Sequence, residues 1–284
     1  MFTSLTNPVS MRSPLRLIGL VMLTPLLLQA ASDDPLYVQT GTDPTFAEIL
    51  GSGKLPQGTN STEGVTGSRI HVNKSVVEVG PNATHRIPQD IRIHTLGNSV
   101  IRRKEFPKWS RWYQEDGNTQ VFRLFTGETN VRNSRPLAAR IEAFSEVHWK
   151  QGTWHEWTGT YTIIKPHNAT MFQVMNRENE WAVHLDMDDH GSIIFSPRRA
   201  ERKVIARQMT GKPFHIRVRD NGHDYEVFLN GEKAGSGSYA RPAGTTGFRW
   251  GMYLGEHPVE HDAMSFVTGA AIDPGQPVAP QEQP

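Results

Sequence analysis

The chain contains no cysteine among its 284 residues, which excludes a disulfide framework, a thiolate metal site and a cysteine nucleophile. It also lacks a charge excess of one sign, because 30 lysines and arginines face 29 aspartates and glutamates. A formal charge of +1 creates no overall field that would draw the protein onto nucleic acid. The hydrophobic fraction of 37% is low but sufficient for a core, so the composition predicts a folded protein.

One long apolar run stands near the N-terminus, from Leu17 to Leu28, and it is too short to span a membrane. Arg12 and Arg16 precede this run, and small residues at 30–32 follow it. This order is typical of a secretory signal peptide. We therefore predict that residues 1–31 are removed, and that the mature protein is secreted or periplasmic and free of the membrane.

Amphipathic helices of useful length are lacking after residue 50, and short alternating segments follow from residue 91. Strong hairpin turns stand at Asp220-Asn221-Gly222 and Asn230-Gly231. The pattern predicts an all-β protein, a single β-jelly-roll sandwich of two antiparallel sheets over residues 91–272. Residues 32–90 predict a loop-rich extension packed on the sandwich, and residues 273–284 a disordered tail.

Two of the predicted strands carry polar residues on one face. Alternation along residues 246–255 turns four residues away from the core, namely Arg249, Gly251, Tyr253 and Gly255. In the second strand, Arg140 and Glu142 share a face and Ile141 takes the other. A cation, a phenol and a glycine that permits close approach to the backbone predict the floor of a ligand site.

A third strand, residues 171–177, places Gln173, Met175 and Arg177 on one face. The next strand begins a few residues later, so the two are expected to pair as a hairpin. A turn centred on residues 178–179 would set Gln173 opposite His184.

In order and spacing these strands resemble those of the alginate-lyase superfamily of polysaccharide lyases, which includes family 7 and the glucuronan lyases. Members are concanavalin A-like jelly rolls with R-x-E-x-R, Q-I-H and Y-F-K-A-G-x-Y-x-Q strands on the concave face. The matching positions are Arg140, Glu142, Gln173, Phe248, Arg249, Gly251 and Tyr253. The sequence departs from the pattern at Phe144 for arginine, Met175 for histidine, Trp250 for alanine and Gly255 for glutamine.

The resemblance implies a secreted lyase that cleaves a uronic-acid polysaccharide, of alginate or glucuronan type, by β-elimination and without a cofactor. It assigns Tyr253 as acid and base, Arg140 as a clamp on the C5 carboxylate and Gln173 as a hydrogen-bonding partner of that carboxylate. Our own inference adds His184, which would replace the histidine missing at Met175. The expected partner is an acidic polysaccharide, and the protein is expected to be a monomer.

Cationic residues with interleaved aromatic rings suit acidic sugars, whose carboxylates pair with arginine and whose ring faces stack. Such stretches occupy residues 101–113 and, without the aromatic rings, residues 197–220. For residues 197–207, a solvated basic loop with no ligand is as good an interpretation as a sugar-binding surface. The predicted substrate-binding residues are Glu142, Arg177, Arg249, Trp109 and Tyr113.

The sequence also bears on three other interpretations. A non-catalytic, lectin-like carbohydrate-binding protein uses the same sandwich, and Phe144 and Met175 favour it. A jelly-roll glycoside hydrolase needs a close carboxylate pair, and the E-x-D-x-x-E strand of such glucanases is lacking. The acidic run at residues 186–190 superficially suggests a metal loop, but acidic residues in a turn more often cap the backbone, so no metal is assigned.

Overall fold

The computed structural model describes residues 35–52, 64–96, 100–128, 130–132, 135–137, 139–176, 178, 180–241, 246–255 and 259–274. The predicted signal peptide, the tail beyond residue 274 and Arg177 lie outside the described residues. Within these ranges no helix has the length and apolarity needed to cross a membrane.

Strands make up most of the described chain. In chain order they are β1 (Tyr37–Thr40), β2 (Arg69–Val72), β3 (Arg92–His94), β4 (Val100–Arg102), β5 (Tyr113–Asp116), β6 (Thr119–Leu124), β7 (Asn130–Arg132), β8 (Arg135–Leu137), β9 (Arg140–Phe144), β10 (His155–Lys165), β11 (Ala169–Asn176), β12 (Trp181–Met187), β13 (Ile193–Pro197), β14 (Lys203–Ala206), β15 (Pro213–Asp220), β16 (Asp224–Leu229), β17 (Glu232–Ser238), β18 (Thr246–Tyr253) and β19 (Ala263–Ile272). The helices are α1 (Phe46–Gly51), α2 (Lys74–Val77) and a 3-10 helix (Arg103–Trp109).

Two large sheets form the sandwich. The eight-stranded sheet has the order β14-β13-β12-β11-β18-β9-β3-β4, and the seven-stranded sheet has the order β17-β16-β15-β10-β19-β6-β5. Neighbouring strands in both sheets are antiparallel. Smaller two-stranded sheets join β1 to β2 and β7 to β8. The predicted all-β sandwich of two antiparallel sheets is confirmed.

Large aromatic side chains fill the space between the two sheets. Trp157 of β10 lies with its ring 4.7 Å from that of Phe172 and 5.8 Å from that of Trp250, measured between centroids. Phe248 and Met252 are buried beside Trp250, as the alternation along β18 predicts. Each of these side chains contributes roughly 25 cal/mol per Å² of apolar surface removed from water, so β18 is firmly held on its inner face.

The N-terminal segment covers the outer face of the seven-stranded sheet. Ile70, Val72 and Val77 form a second apolar cluster with Val121 and Phe266 of that sheet. This cluster lies on the face opposite to the main core, because neighbouring residues of a strand point to opposite faces. The predicted catalytic residues lie on the outer face of the other, eight-stranded sheet.

Candidate functional site

The three strands singled out in the sequence are neighbours in the eight-stranded sheet, in the order β11-β18-β9. Their pairing sets Gln173 beside Arg249, and Tyr253 beside Arg140. Glu142 lies opposite Gly251 on the same stretch of β9 and β18. We call the outward-facing side chains of β12, β11, β18, β9 and β3 the polar face.

The predicted hairpin register is confirmed, because Gln173 of β11 pairs with His184 of β12. His184 is partly exposed, so its side chain lies on the polar face and not in the core. Its ring stacks on Trp181 at 4.0 Å between centroids, and its Nε2 atom is buried without a hydrogen-bond partner.

Burial lowers the pKa of His184 to about 4. The nearby Asp186 carboxylate opposes this shift, whereas the positive charges of Arg202 and Arg198 add to it. At neutral pH the imidazole is therefore uncharged, and it can donate one hydrogen bond and accept another.

Glu142 is the buried centre of the polar face, with 1% of its surface exposed. Its Oε1 atom accepts a hydrogen bond of 2.5 Å from the Gln173 amide. Its Oε2 atom lies 3.8 Å from an Arg140 guanidinium nitrogen. Arg249 is a second cation near this carboxylate, and burial lowers its pKa while the Glu142 charge raises it. Two arginines thus face one carboxylate, which leaves a net positive charge.

Arg140 and Tyr253 lie together at one end of this cluster. The guanidinium carbon of Arg140 is 4.5 Å from the centroid of the Tyr253 ring, a cation–π contact. Both side chains are partly exposed, and the Nε atom of Arg140 is buried without a partner. A cation at this distance stabilises negative charge that develops near the phenol.

His94 belongs to the polar face and was missed in the sequence. It lies on β3, directly opposite Glu142, with its ring 4.6 Å from that of Phe144. Burial, with the positive charges of Arg249 and Arg140, lowers its pKa to about 3. The alternation in residues 92–94 marks a strand, but its pairing with β9 joins segments about fifty residues apart, which no local pattern reveals.

Several buried polar atoms of the polar face have no hydrogen-bond partner among the described residues. Four side-chain atoms there are buried without a hydrogen-bond partner: His94 Nδ1, Arg140 Nε, Glu142 Oε2 and His184 Nε2. Buried polar atoms in proteins are nearly always paired, so a cluster of orphans indicates a place built to receive a polar ligand.

A cavity of about 490 Å³ opens beside Tyr253, on the β11–β13 side of the polar face. His184, Asp186 and Arg202 contribute to its wall. A larger cavity of about 580 Å³ lies on the seven-stranded sheet around His215 and His85. It holds the unpartnered His85 ring, but both His215 nitrogens are already hydrogen-bonded, and no phenol lines it within the described chain.

Two predicted substrate-binding residues lie elsewhere. Trp109 and Tyr113 are each 1% exposed and belong to the main core. The Tyr113 ring packs on Phe106 and Phe122, with centroids 4.9 and 5.3 Å away. Neither ring presents a face on which a sugar can stack, so both assignments are wrong. Apolar burial outweighed the neighbouring cations that suggested a surface platform.

The basic stretch at residues 197–220 does not form one surface. Arg202 pairs with Asp186 on the eight-stranded sheet. Arg217 pairs with Glu156 on the seven-stranded sheet. The local charge excess in the sequence is therefore divided between the two sheets, because β13–β14 and β15 belong to different ones.

The glycine at position 251 has a different role from the one predicted. Gly251 has φ +132° and is buried. A Cβ atom there would lie 2.4 Å from the Ile141 carbonyl oxygen and 3.0 Å from the Phe122 ring. The glycine thus serves the close packing of β18 on β9 and on the core, not the approach of a ligand.

In the acidic turn before Gly191, an aspartate caps the backbone. Asp188 accepts hydrogen bonds from the backbone N–H groups of His190 and Ser192. Across the described chain, no group of three or more histidine or acidic side chains could hold a metal ion.

Comparison with known proteins identifies the fold. No protein-family model matches the chain, and no curated protein matches it. Alginate lyase A1-II′, a member of polysaccharide lyase family 7, superposes with a TM-score of 0.54 at 12% identity, over 68% of this chain and 98% of that chain. The alginate lyase from Corynebacterium sp. gives 0.53 at 12% identity, over 65% and 93%.

Alginate lyase AlyC3 in complex with dimannuronate gives a TM-score of 0.50 at 7% identity, over 65% of this chain and 89% of that chain. Sequence identities this low show that the architecture is shared, but they do not show a shared activity. The chain therefore has the jelly-roll fold of the family 7 alginate lyases, and its resemblance to the alginate-lyase superfamily is confirmed at the level of the fold.

Proposed function

We propose that the protein is a secreted polysaccharide lyase that cleaves a uronic-acid polysaccharide by β-elimination. The observation that carries the proposal is the contact of Arg140 with Tyr253, next to a cluster of unpartnered polar atoms. An elimination needs a cation to neutralise the C5 carboxylate and a proton-transfer group beside C5. On the polar face, Arg140 supplies the cation and Tyr253 the proton-transfer group, and the two side chains are in contact.

The charge balance of the polar face suits one carboxylate ligand. Arg140 and Arg249 carry two positive charges against the single negative charge of Glu142. A bound uronate carboxylate would complete the balance. Gln173 holds Glu142 through its amide and keeps that carboxylate in place between the arginines. Neutralised in this way, the C5 carboxylate can accept the charge that builds up when the C5 proton leaves.

Tyr253 would perform both proton transfers. Its phenolate oxygen takes the proton from C5, the C–H electron pair forms the C4=C5 double bond, and the C4–O bond breaks. The leaving glycosidic oxygen then takes the proton from the phenol, which restores the starting state. One group can serve both steps when the C5 proton and the C4 oxygen lie on the same side of the ring, as they do in mannuronate and glucuronate.

Two neutral imidazoles flank this position, and the motif histidine is replaced by Met175. His184 lies beside Gln173 and lines the cavity with Tyr253, and we assign it the contact with the substrate that Met175 cannot make. His94 lies beside Glu142, where it is placed to bond the carboxylate end of the sugar. Both are uncharged at neutral pH and can donate a hydrogen bond without adding a charge.

The test is incubation of the mature protein with polymannuronate, polyguluronate and glucuronan. Ultraviolet absorbance of the C4=C5 double bond conjugated to the carboxylate measures elimination, and a reducing-end assay measures all chain cleavage. We expect absorbance and reducing ends to rise together. Reducing ends without absorbance would make the protein a hydrolase, and binding without either would make it a lectin-like protein.

Export is a separate part of the proposal, supported by the N-terminal apolar run. Expression of the full chain in a bacterium should yield a periplasmic or secreted protein whose N-terminus begins near residue 32. Recovery of the uncleaved chain from the cytoplasm would contradict export.

A further inference from the structure

Among the described residues, the wall of the cavity beside Tyr253 carries no unpaired charge. Its lining includes one acid and one arginine, Asp186 and Arg202, and these form an ion pair of 3.1 Å. The rest of its described lining holds no further acid, lysine or arginine: Asn168, Ala169, Thr170, Trp181, His184, Met187, Ile194, Ser196, Pro197, Tyr253, Leu254 and Gly255. A volume of about 490 Å³ is enough for a sugar unit.

The ion pair in this wall is fixed by further hydrogen bonds. Thr170 donates to one Asp186 carboxylate oxygen at 2.7 Å, and Ser196 donates to the other at 2.6 Å. Arg202 donates to Ser196 as well as to Asp186. Two of the three guanidinium nitrogens, Nε and Nη2, are therefore engaged in the wall, and the Asp186 carboxylate neutralises the Arg202 charge.

Another cation near the cavity is also engaged. Arg198 lies with its guanidinium 5.7 Å from the Trp181 ring centroid and 4.6 Å from that of Tyr239. It donates a hydrogen bond to the Trp181 carbonyl and does not line the cavity.

Tyr253 stands at a boundary between two electrostatic environments. On one side it pairs with Arg140, which belongs to the positively charged cluster. On the other side it pairs with Thr170, which lines the cavity whose charged residues are paired with each other. A polysaccharide cut at Tyr253 would therefore have its uronate on the arginines and the sugar across the broken bond in the cavity.

A polymer made of uronate alone would place a carboxylate in that cavity. Burying an unpaired charge is costly, and in the described wall Asp186 already neutralises the Arg202 cation that could pair with it. A neutral sugar meets hydroxyl and amide groups from Thr170, Ser196 and Asn168, and apolar contacts from Met187 and Leu254. Such a lining suits hydroxyl or acetamido groups and the apolar face of a pyranose.

We propose that the substrate is a heteropolysaccharide in which a uronate is joined through its O4 atom to a neutral sugar, with the uronate on the Arg140–Arg249 cluster and the neutral sugar in the cavity. The inference rests on the proposed lyase function and specifies its substrate class. It replaces the expectation of a polymer of the alginate or glucuronan type.

The test compares glucuronan with unsulfated chondroitin and hyaluronan, in which glucuronate alternates with a neutral N-acetylhexosamine. In all three polymers the bond to be eliminated is a β-linkage to O4 of glucuronate. We expect kcat/KM, measured from the conjugated product, to be about tenfold or more higher on an alternating polymer than on glucuronan.

Two substitutions with opposite expected effects test whether the Asp186–Arg202 pair causes this preference. Asp186→Asn frees the Arg202 charge and should raise kcat/KM on glucuronan relative to chondroitin by about tenfold. Arg202→Gln leaves Asp186 unpaired and should lower the same ratio. The Arg202 side chain is 63% exposed, so Arg202→Gln is expected to fold even if Asp186→Asn does not. Glu226→Gln, which removes two ion pairs on the seven-stranded sheet, is the control and should leave the ratio unchanged.

The outcomes separate this inference from the proposed function. If the unmodified protein releases no conjugated product from any of these polymers or from alginate, the lyase function itself is refuted, and the substrate class with it. If the protein cleaves glucuronan at least as well as the alternating polymers, and neither substitution moves the ratio, the lyase function stands and the neutral-sugar cavity is refuted.

Discussion

At the scale of single residues, the proposed function assigns recognition of the uronate to Arg140. Its Nε atom is unpartnered and its guanidinium touches the Tyr253 ring, so a bound carboxylate would gain a charge-assisted hydrogen bond beside the reacting carbon. We expect Arg140→Ala to lower kcat/KM by roughly 10²- to 10³-fold. Steady-state kinetics on the best polymer measures this, and Arg140→Lys should retain part of the activity.

The division of the Arg140→Ala loss between kcat and KM shows which role Arg140 has. A fall in kcat shows that the guanidinium stabilises charge in the transition state. A rise in KM with an unchanged kcat would instead make Arg140 a binding residue with no catalytic part.

The two imidazoles of the polar face make a second prediction at this scale. His184→Ala should reduce turnover on every polymer that is cleaved, because Met175 leaves the cut sugar without another histidine on β11. Met175→His should restore part of the loss in the His184→Ala background. His94→Ala is the matched comparison, since His94 is the other neutral imidazole beside the arginines.

If His184→Ala is silent and His94→Ala reduces turnover, the imidazole contact belongs to β3 and our assignment to β12 is wrong. Equal activity of both variants and the parent would show that Tyr253 works without histidine. Melting temperatures of all variants serve as the check that the fold is kept.

At the scale of the elements, β18 is the strand that holds the site together. It pairs with β11 on one side and β9 on the other, and Gly251 lets it pack against both β9 and the core. We expect Gly251→Ala to destabilise the protein by about 1–3 kcal/mol, because a methyl group would meet the Ile141 carbonyl in a backbone conformation that L residues rarely adopt.

Gly231→Ala is the matched control for this prediction. Gly231 also has a positive φ, of +87°, but a Cβ atom there meets nothing within 4 Å. Denaturant unfolding should show the larger loss in Gly251→Ala. Equal losses in the two variants would mean that the close approach of β18 to β9 contributes nothing to stability.

Local patterns predicted the parts of these elements that depend on neighbouring residues. The inner face of β18 and the Gln173–His184 pairing follow from alternation and a short turn, and both were predicted correctly. The pairing of β3 with β9 joins distant segments, so His94 could not be placed. The burial of Trp109 and Tyr113 depends on how the 3-10 helix and β5 pack on the sandwich, which composition alone does not show.

At the scale of the whole molecule, the neutral histidines make stability depend on pH. His94 and His184 have folded-state pKa values of about 3 and about 4, below the ordinary value of 6.5. The unfolded chain therefore binds more protons than the folded chain between pH 6.5 and about 4, so these residues lower stability as the pH falls through that window. The buried Glu128 carboxyl, with its pKa raised to about 7, has the opposite effect.

A double variant isolates the contribution of the histidines. We expect His94→Gln with His184→Gln to lose less melting temperature than the parent between neutral pH and about pH 4.5, because glutamine takes up no proton. The Glu128 contribution is the same in both proteins and cancels in the comparison. Parallel pH profiles for the variant and the parent would show that the two imidazoles are not held neutral by the fold.

In the proposed reaction, Tyr253 transfers the protons of an elimination on a uronate held by Arg140. The most direct test is the rate of conjugated product formation by Tyr253→Phe, with oligosaccharide binding measured on the same sample. We predict that the rate falls by roughly 10²- to 10⁴-fold while binding and melting temperature stay near those of the parent, because only the hydroxyl is removed. A turnover close to that of the parent would show that Tyr253 is not the proton-transfer group.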